Sequence, residues 1–111
     1  MAVYIPKQGD FIAVSFDLQA GHEQKGRRPA LVVSKGLFNA RTGLALVCPI
    51  TNTDRQFPFH IPIPPGAPVT GFVMVEQVKS LDFHSRNAKR IGRATAPLLE
   101  EVLSILDACI Y

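Results

Sequence analysis

Gly21-His22-Glu23-Gln24-Lys25-Gly26-Arg27-Arg28-Pro29-Ala30-Leu31-Val32-Val33-Ser34 sets a glycine-bracketed loop with charges of both signs directly before a hydrophobic strand. A loop of this composition buries too little apolar surface to be explained by packing. It delivers a carboxylate, an imidazole and two guanidinium groups beside a rigid support. Pro29 fixes its own φ and pushes Arg28 toward an extended backbone, so the strand edge aims the Arg28 side chain reproducibly. A positioned guanidinium suits a phosphate, and a solvated surface arginine pair is the plainer reading of the same residues.

Outward from that stretch the chain reads mostly as strands. Phe11 to Phe16 follows Gly9-Asp10 and is rich in aromatic and β-branched residues, which suits a strand entered from a turn, and the polar loop runs from Asp17 to Pro29. Ala30 to Ser34 and Leu44 to Ile50 read as further strands, and Asn39 to Gly43 between them has hairpin-turn chemistry in its Thr42-Gly43 step. Thr51 then ends a strand on a hydroxyl, a position where threonines commonly satisfy local backbone groups.

In the second half, apolar residues alternate from Phe57 to Ile63 with His60 and Pro62, but Pro58, Pro62, Pro64 and Pro65 remove ladder donors, so an edge strand or extended arm is expected. Gly71 to Val75 has strand length. Glu76 to Leu81 continues it with an alternation that leaves the register open unless a bulge intervenes. After the cationic turn Ser85 to Lys89, Arg90 to Ala94 is one more short strand, and Thr95 followed by Pro97 marks a helix start. Leu99, Val102, Leu103, Leu106 and Ile110 then form an apolar stripe at three- and four-residue steps. The expected fold is mainly β with short helices, a small and strongly bent sheet or barrel with a C-terminal amphipathic helix.

With 111 residues and 47% hydrophobic content, residues 1–111 suit one domain with its own core. A net charge of +3 permits an anionic partner without the polybasic character that binds nucleic acid by charge alone. Cys48 in a strand-like run and Cys109 near the helix end both read as small core hydrophobes. No apolar run approaches the ~20 residues of a membrane span, and no secretory leader opens the chain, so a cytoplasmic location is expected. His22, His60 and His84 lie far apart and no cysteine has a ligand-spaced neighbour, so no metal and no cofactor are expected.

Taken in order, Pro6 with Gly9-Asp10, Glu23-Gln24 with Gly26, Arg28-Pro29-Ala30, Thr42-Gly43 with Pro49 and Thr51, and Glu76-Gln77-Val78-Lys79-Ser80 resemble the MazF/PemK family of toxin endoribonucleases. The resemblance covers nearly the whole chain. It implies an SH3-like barrel of the CcdB/PemK type, a homodimer, and sequence-specific, metal-independent cleavage of single-stranded mRNA. It also implies a cognate antitoxin of the MazE/PemI type whose acidic tail folds onto the toxin. Matched by position, Arg28 and Thr51 are the catalytic arginine and threonine and Glu23 the loop glutamate, while Gln77 and Lys79 fall near the RNA path. His22 departs from the small polar residue common at its position, and stands there as a proton-transfer group or a surface ring. Lys25, Arg27, Arg28, Lys79 and Arg86 would form a cationic path for phosphates or for a carboxylate-rich peptide. Two rival readings share the fold: a CcdB-like gyrase poison, which needs no catalytic loop, and a non-catalytic RNA-binding barrel. The few aromatics expected at the surface give the second little support.

Overall fold

Among the described residues, seven strands form one antiparallel sheet: β1 (Asp10–Ser15), β2 (Arg27–Val32), β3 (Leu44–Thr51), β4 (His60–Pro62), β5 (Phe72–Met74), β6 (Lys79–Asp82) and β7 (Lys89–Arg93). Helix α1 (Gly36–Thr42) joins β2 to β3, and helix α2 (Ala96–Ile110) follows β7. The computed structural model describes residues 3–15 and 27–111. The spatial order is β4-β5-β3-β2-β1-β7, with β6 also paired to β3.

Alternation along the central strands sends side chains to two separate cores, because both faces of the sheet are covered. Phe11, Leu31, Cys48 and Ile50 join Val73, Leu98 and Val102 in one cluster, while Ile12, Val14, Ala30, Val32, Ala45 and Val47 join Leu81 and Phe83 in the other. A register shift between Phe11 and Ile12 in the β1–β7 pairing is a bulge, which bends the strand and adds twist. The edge position expected for Phe57 to Ile63 holds: only His60–Pro62 forms a strand, and β4 ends the sheet.

A short 3₁₀ turn over Val75–Gln77 resolves the register left open in the second half. It ends β5 and restarts the chain as β6, so the two strands pair with opposite ends of β3: β5 with Ile50 and Thr51, β6 with Leu44 to Val47. Val75 enters the first core and Leu81 the second. The turn leaves Glu76 and Gln77 exposed, and no single strand could do this while burying both flanking residues.

Three expectations are corrected. The segment read as a hairpin turn is helix α1, which Gly43 terminates in the left-handed region at φ 75°. Asn39 fastens this helix to the sheet. Its amide donates to the carbonyls of Pro6 (2.8 Å) and Ser34 (3.3 Å), and its Oδ1 accepts from the Ser34 hydroxyl at 2.5 Å. Cys109 is exposed, whereas Cys48 is buried as expected. Burial, and secondarily the Glu76 carboxylate, push the Cys48 thiol up to about 12, which makes it an inert apolar group at neutral pH. The stripe of α2 holds at Val102, Leu103 and Leu106 but is corrected at its ends: Leu98 and Val102 are the buried residues, each burial contributing about 1.5–3 kcal/mol, while Ile110 is 63% exposed beyond the core. Thr95 caps the helix as its position suggested, accepting from the Leu98 N–H at 3.4 Å.

Candidate functional site

The register of β2 against β3 builds the site. Ala30 faces Pro49, Leu31 faces Cys48 and Val32 faces Val47. Carrying that register two residues past its end puts Arg28 opposite Thr51, on the same face of the sheet. The ladder stops short of them because Pro29 and Pro49 supply no N–H. The strand ends are thereby free to open, and Arg28 and Thr51 line a shared cleft of about 480 Å³ with Arg55, Phe57, His60, Met74, Glu76 and Gln77.

Thr51 is held from two sides. Its Oγ1 accepts from the Thr53 N–H at 3.1 Å, the local bond expected of a strand-end threonine, and this leaves the hydroxyl proton to donate. Its carbonyl packs against Gly71, where φ is 120° and a Cβ would collide with the Thr51 oxygen. Only glycine lets β5 approach closely enough to pair Phe72 with Thr51.

The opposite wall carries His60 and Glu76, to which the sequence alone assigns no role. Pairing of β4 with β5 sets His60 beside Met74, and the 3₁₀ turn swings Glu76 back so that its Oε2 lies 2.8 Å from His60 Nε2. The His60 side chain is 4% exposed and that of Glu76 28%. His60 Nδ1 is buried without a partner among the described residues. A tautomer with its proton on Nε2 accommodates this best, since it donates to the carboxylate and leaves only an acceptor unpaired. The usable signal in the sequence is Glu76-Gln77 itself, an exposed carboxylate and amide between two apolar strand segments.

Of the other expected site residues, those that the structure describes are dispersed. Glu23, His22 and Lys25 lie outside the described residues. Arg27 donates to the carbonyls of Asn87 (2.9 Å) and Ala13 (3.2 Å), and lines a neighbouring depression with Arg28, Pro68 and Ile91. Arg86 sits in the β6–β7 turn and donates to the Ser15 carbonyl at 3.2 Å. Lys79 is on β6 opposite Val47, toward the other end of β3 from Thr51. Among the described ones, Gln77 alone lines the Arg28–Thr51 cleft. Phe57 and Phe59 are 43% and 37% exposed, correcting the expectation of few surface aromatics. Among the described residues, no three His, Cys, Asp or Glu side chains cluster so as to hold a metal ion.

Two guanidiniums, a donating hydroxyl and a carboxylate line one cleft at the splayed strand ends, a chemistry suited to an anion such as a phosphate. The chain belongs to the PemK-like, MazF-like toxins of type II toxin–antitoxin systems, matching that family over residues 7–110. It is 44% identical over 109 residues to the endoribonuclease toxin ChpB of Escherichia coli K12, spanning 94% of this chain and 93% of ChpB. Against the endoribonuclease toxin MazF of the same strain the identity is 34%, with 96% of each chain covered. A solved MazE–MazF structure from Deinococcus radiodurans superposes with a TM-score of 0.88 at 37% identity, covering 96% of this chain and 97% of that one. The antiparallel sheet with its C-terminal helix is therefore the MazF fold.

Proposed function

We propose that this protein is the toxin of a type II toxin–antitoxin pair and acts as a sequence-specific endoribonuclease on single-stranded mRNA. The observation that carries the reading is the Arg28–Thr51 pair, set opposite one another by the β2–β3 register in a chain whose full-length relatives ChpB and MazF are endoribonucleases.

In this reading the nucleophile belongs to the substrate. The 2′-OH oxygen attacks the adjacent phosphorus as its proton passes to a carboxylate, and the bond from phosphorus to the 5′-oxygen breaks as that oxygen takes a proton from solvent water, leaving a 2′,3′-cyclic phosphate and a 5′-OH. Arg28 stabilises the phosphorane charge. A guanidinium gives up its proton reluctantly, so Arg28 is a hydrogen-bond donor to the leaving oxygen rather than a general acid. Thr51 donates to a non-bridging oxygen and fixes the phosphate. Glu23 is the acceptor matched by resemblance, and Glu76, aimed by His60, is the carboxylate that lines the cleft among the described residues. Gln77 in the cleft wall, with His22, Lys25, Arg27, Lys79 and Arg86, contacts the RNA.

The bent sheet is in this reading an SH3-like barrel of the CcdB/PemK type, residues 1–111 act as one domain in the cytoplasm, and two copies pair to build a groove long enough for several nucleotides. No described helix is long and apolar enough to cross a membrane. A MazE-type antitoxin is the expected partner and inhibitor, and the similar Deinococcus radiodurans structure is one of MazE with MazF.

Incubating the purified protein with a long single-stranded RNA in excess EDTA tests the proposal. Cutting should persist, leave a 2′,3′-cyclic phosphate, and stop when the nucleotide upstream of the cut is 2′-deoxy. Cutting of the deoxy strand, or a 5′-phosphate product, would rule out 2′-OH attack. Inertness toward RNA combined with gyrase inhibition would favour the CcdB-like rival.

A further inference from the structure

Phe57 is a large apolar ring left 43% exposed in the wall of a cleft that also holds Arg28 and Arg55. Its exposure is built in by the local backbone. Asp54 Oδ1 accepts from the Gln56 N–H at 2.9 Å, Gln56 adopts a left-handed φ of 52°, and the Phe57 carbonyl accepts from the His60 N–H at 2.9 Å to close a turn. The ring is then propped by two near-perpendicular neighbours: His60, with centroids 5.2 Å apart at 84°, and Phe59, at 5.6 Å and 72°. His60 is itself fixed by its bond to Glu76. A half-exposed phenyl ring whose plane is set by its neighbours is pre-organised for a flat partner, and little ordering entropy is lost when that partner arrives.

We propose that Phe57 is a stacking platform for an unpaired RNA base, next to the phosphate gripped by Arg28 and Thr51. The proposal rests on the reading of this cleft as an RNA site, and it names the base-binding element that the reading lacked. The chemistry selects a nucleotide because one wall offers guanidinium and hydroxyl donors for a phosphate and the other an aromatic face, the two groups that a nucleotide carries a sugar apart. An apolar side chain of a bound peptide would satisfy Phe57 but leave the Arg28–Thr51 donors unused.

The test is a binding cycle between ring and base. The probe is an uncleavable 2′-deoxy strand of the sequence that the parent protein cuts or, should it cut none, of mixed sequence, together with versions carrying an abasic nucleotide at each position in turn. Phe57→Ala should weaken binding of the intact strand by roughly tenfold, the scale of one lost base–aromatic stack. Phe57→Trp should restore it and Phe57→Leu should not. At one position the abasic strand should bind the parent and Phe57→Ala equally. A Phe57→Ala deficit that persists on every abasic strand, restoration by leucine, or parental affinity in Phe57→Ala would each overturn the proposal. Loss of antitoxin-peptide binding alone would assign the ring to the peptide instead, against the proposal. Cleavage by the parent is scored separately. A protein that cuts RNA without this coupling refutes the platform alone, and one that shows the coupling without cutting refutes the nuclease reading alone.

Discussion

Two carboxylates of this molecule lie in depressions shared with arginines, and they are built to opposite ends. Asp10, with a 3% exposed side chain, accepts from the Tyr4 hydroxyl (2.6 Å), the Lys7 N–H (3.0 Å), Arg93 Nη1 (3.2 Å) and Arg90 Nε (3.4 Å). Glu76, with a 28% exposed side chain, has one hydrogen bond among the described residues, to a histidine whose other ring nitrogen is itself unpartnered. The depression at Asp10, about 570 Å³, is larger than the 480 Å³ cleft at Glu76, so volume does not identify the working site. Saturation does. A carboxylate with its acceptor capacity filled ties β1 and β7 to the N-terminal segment, whereas one with capacity left over is available to a substrate.

The sharpest way to break this contrast is to remove the groups facing Glu76 across the cleft. Arg28→Ala and Thr51→Ala should each lower RNA cleavage by at least roughly two orders of magnitude, the scale of one lost transition-state donor, with an unchanged circular dichroism spectrum. Folded variants that cut like the parent would remove the site assignment.

At the saturated end the effect should move from activity to stability. Asp10→Asn keeps an acceptor but loses the charge that Arg90 and Arg93 face, and it should destabilise the fold by about 2 kcal/mol in urea titrations. Both arginines are half exposed and can turn to water, which limits the loss. At low temperature the folded variant should cleave RNA at the parental rate. A stable Asp10→Asn protein that has lost cleavage would reverse the roles of the two ends.

His60 sharpens the comparison because it separates orientation from packing. His60→Leu should fold as well as the parent, since it removes an unsatisfied buried nitrogen, yet cleave roughly tenfold more slowly once Glu76 loses its donor. His60→Gln, which keeps an N–H near the position of Nε2, should recover most of that rate. Equal rates in both variants would mean that the His60–Glu76 bond is structural.

How much of the fold and the site is legible in the sequence follows the range of the interactions concerned. The strand-end positions of Arg28 and Thr51 are legible because each is defined by its own neighbours, Pro29 fixing one backbone and a strand end exposing the other, while the roles expected of them rest on the family resemblance. Helix α1 is not legible. It is seven residues long without a side-chain cap, its Asn39, Thr42 and Gly43 are ordinary turn formers, and Leu37 and Phe38 are exposed, so no apolar stripe announces it. What holds it is Asn39 bonding to Pro6, 33 residues away. His60 and Glu76 stand 16 residues apart and meet only through β4–β5 pairing and a 3₁₀ turn that no periodicity encodes. The α2 stripe is legible through Val102, Leu103 and Leu106 but overruns the core at Ile110, because amphipathic spacing gives the face of a helix and not where the sheet beneath it ends.

The smallest expected effect concerns pH at the saturated end. Burial first, and then the hydrogen bond and charge of Asp10, push the Tyr4 phenol well above its ordinary value of 10.0. In the unfolded chain the phenol loses its proton near that ordinary value, whereas in the fold it keeps it. Above pH 10 the folded state therefore binds more protons than the unfolded one, and stability must fall as pH rises. Below pH 10 both states are protonated and Tyr4 adds no slope. Urea midpoints measured across this range should decline more steeply for the parent than for Tyr4→Phe, which lacks the ionisable hydroxyl. The Tyr4→Phe protein should be the less stable of the two at neutral pH, and the gap should narrow as the parent enters the alkaline range. A parallel decline in both proteins would mean that the Tyr4–Asp10 bond contributes nothing to the saturation on which the comparison with Glu76 depends.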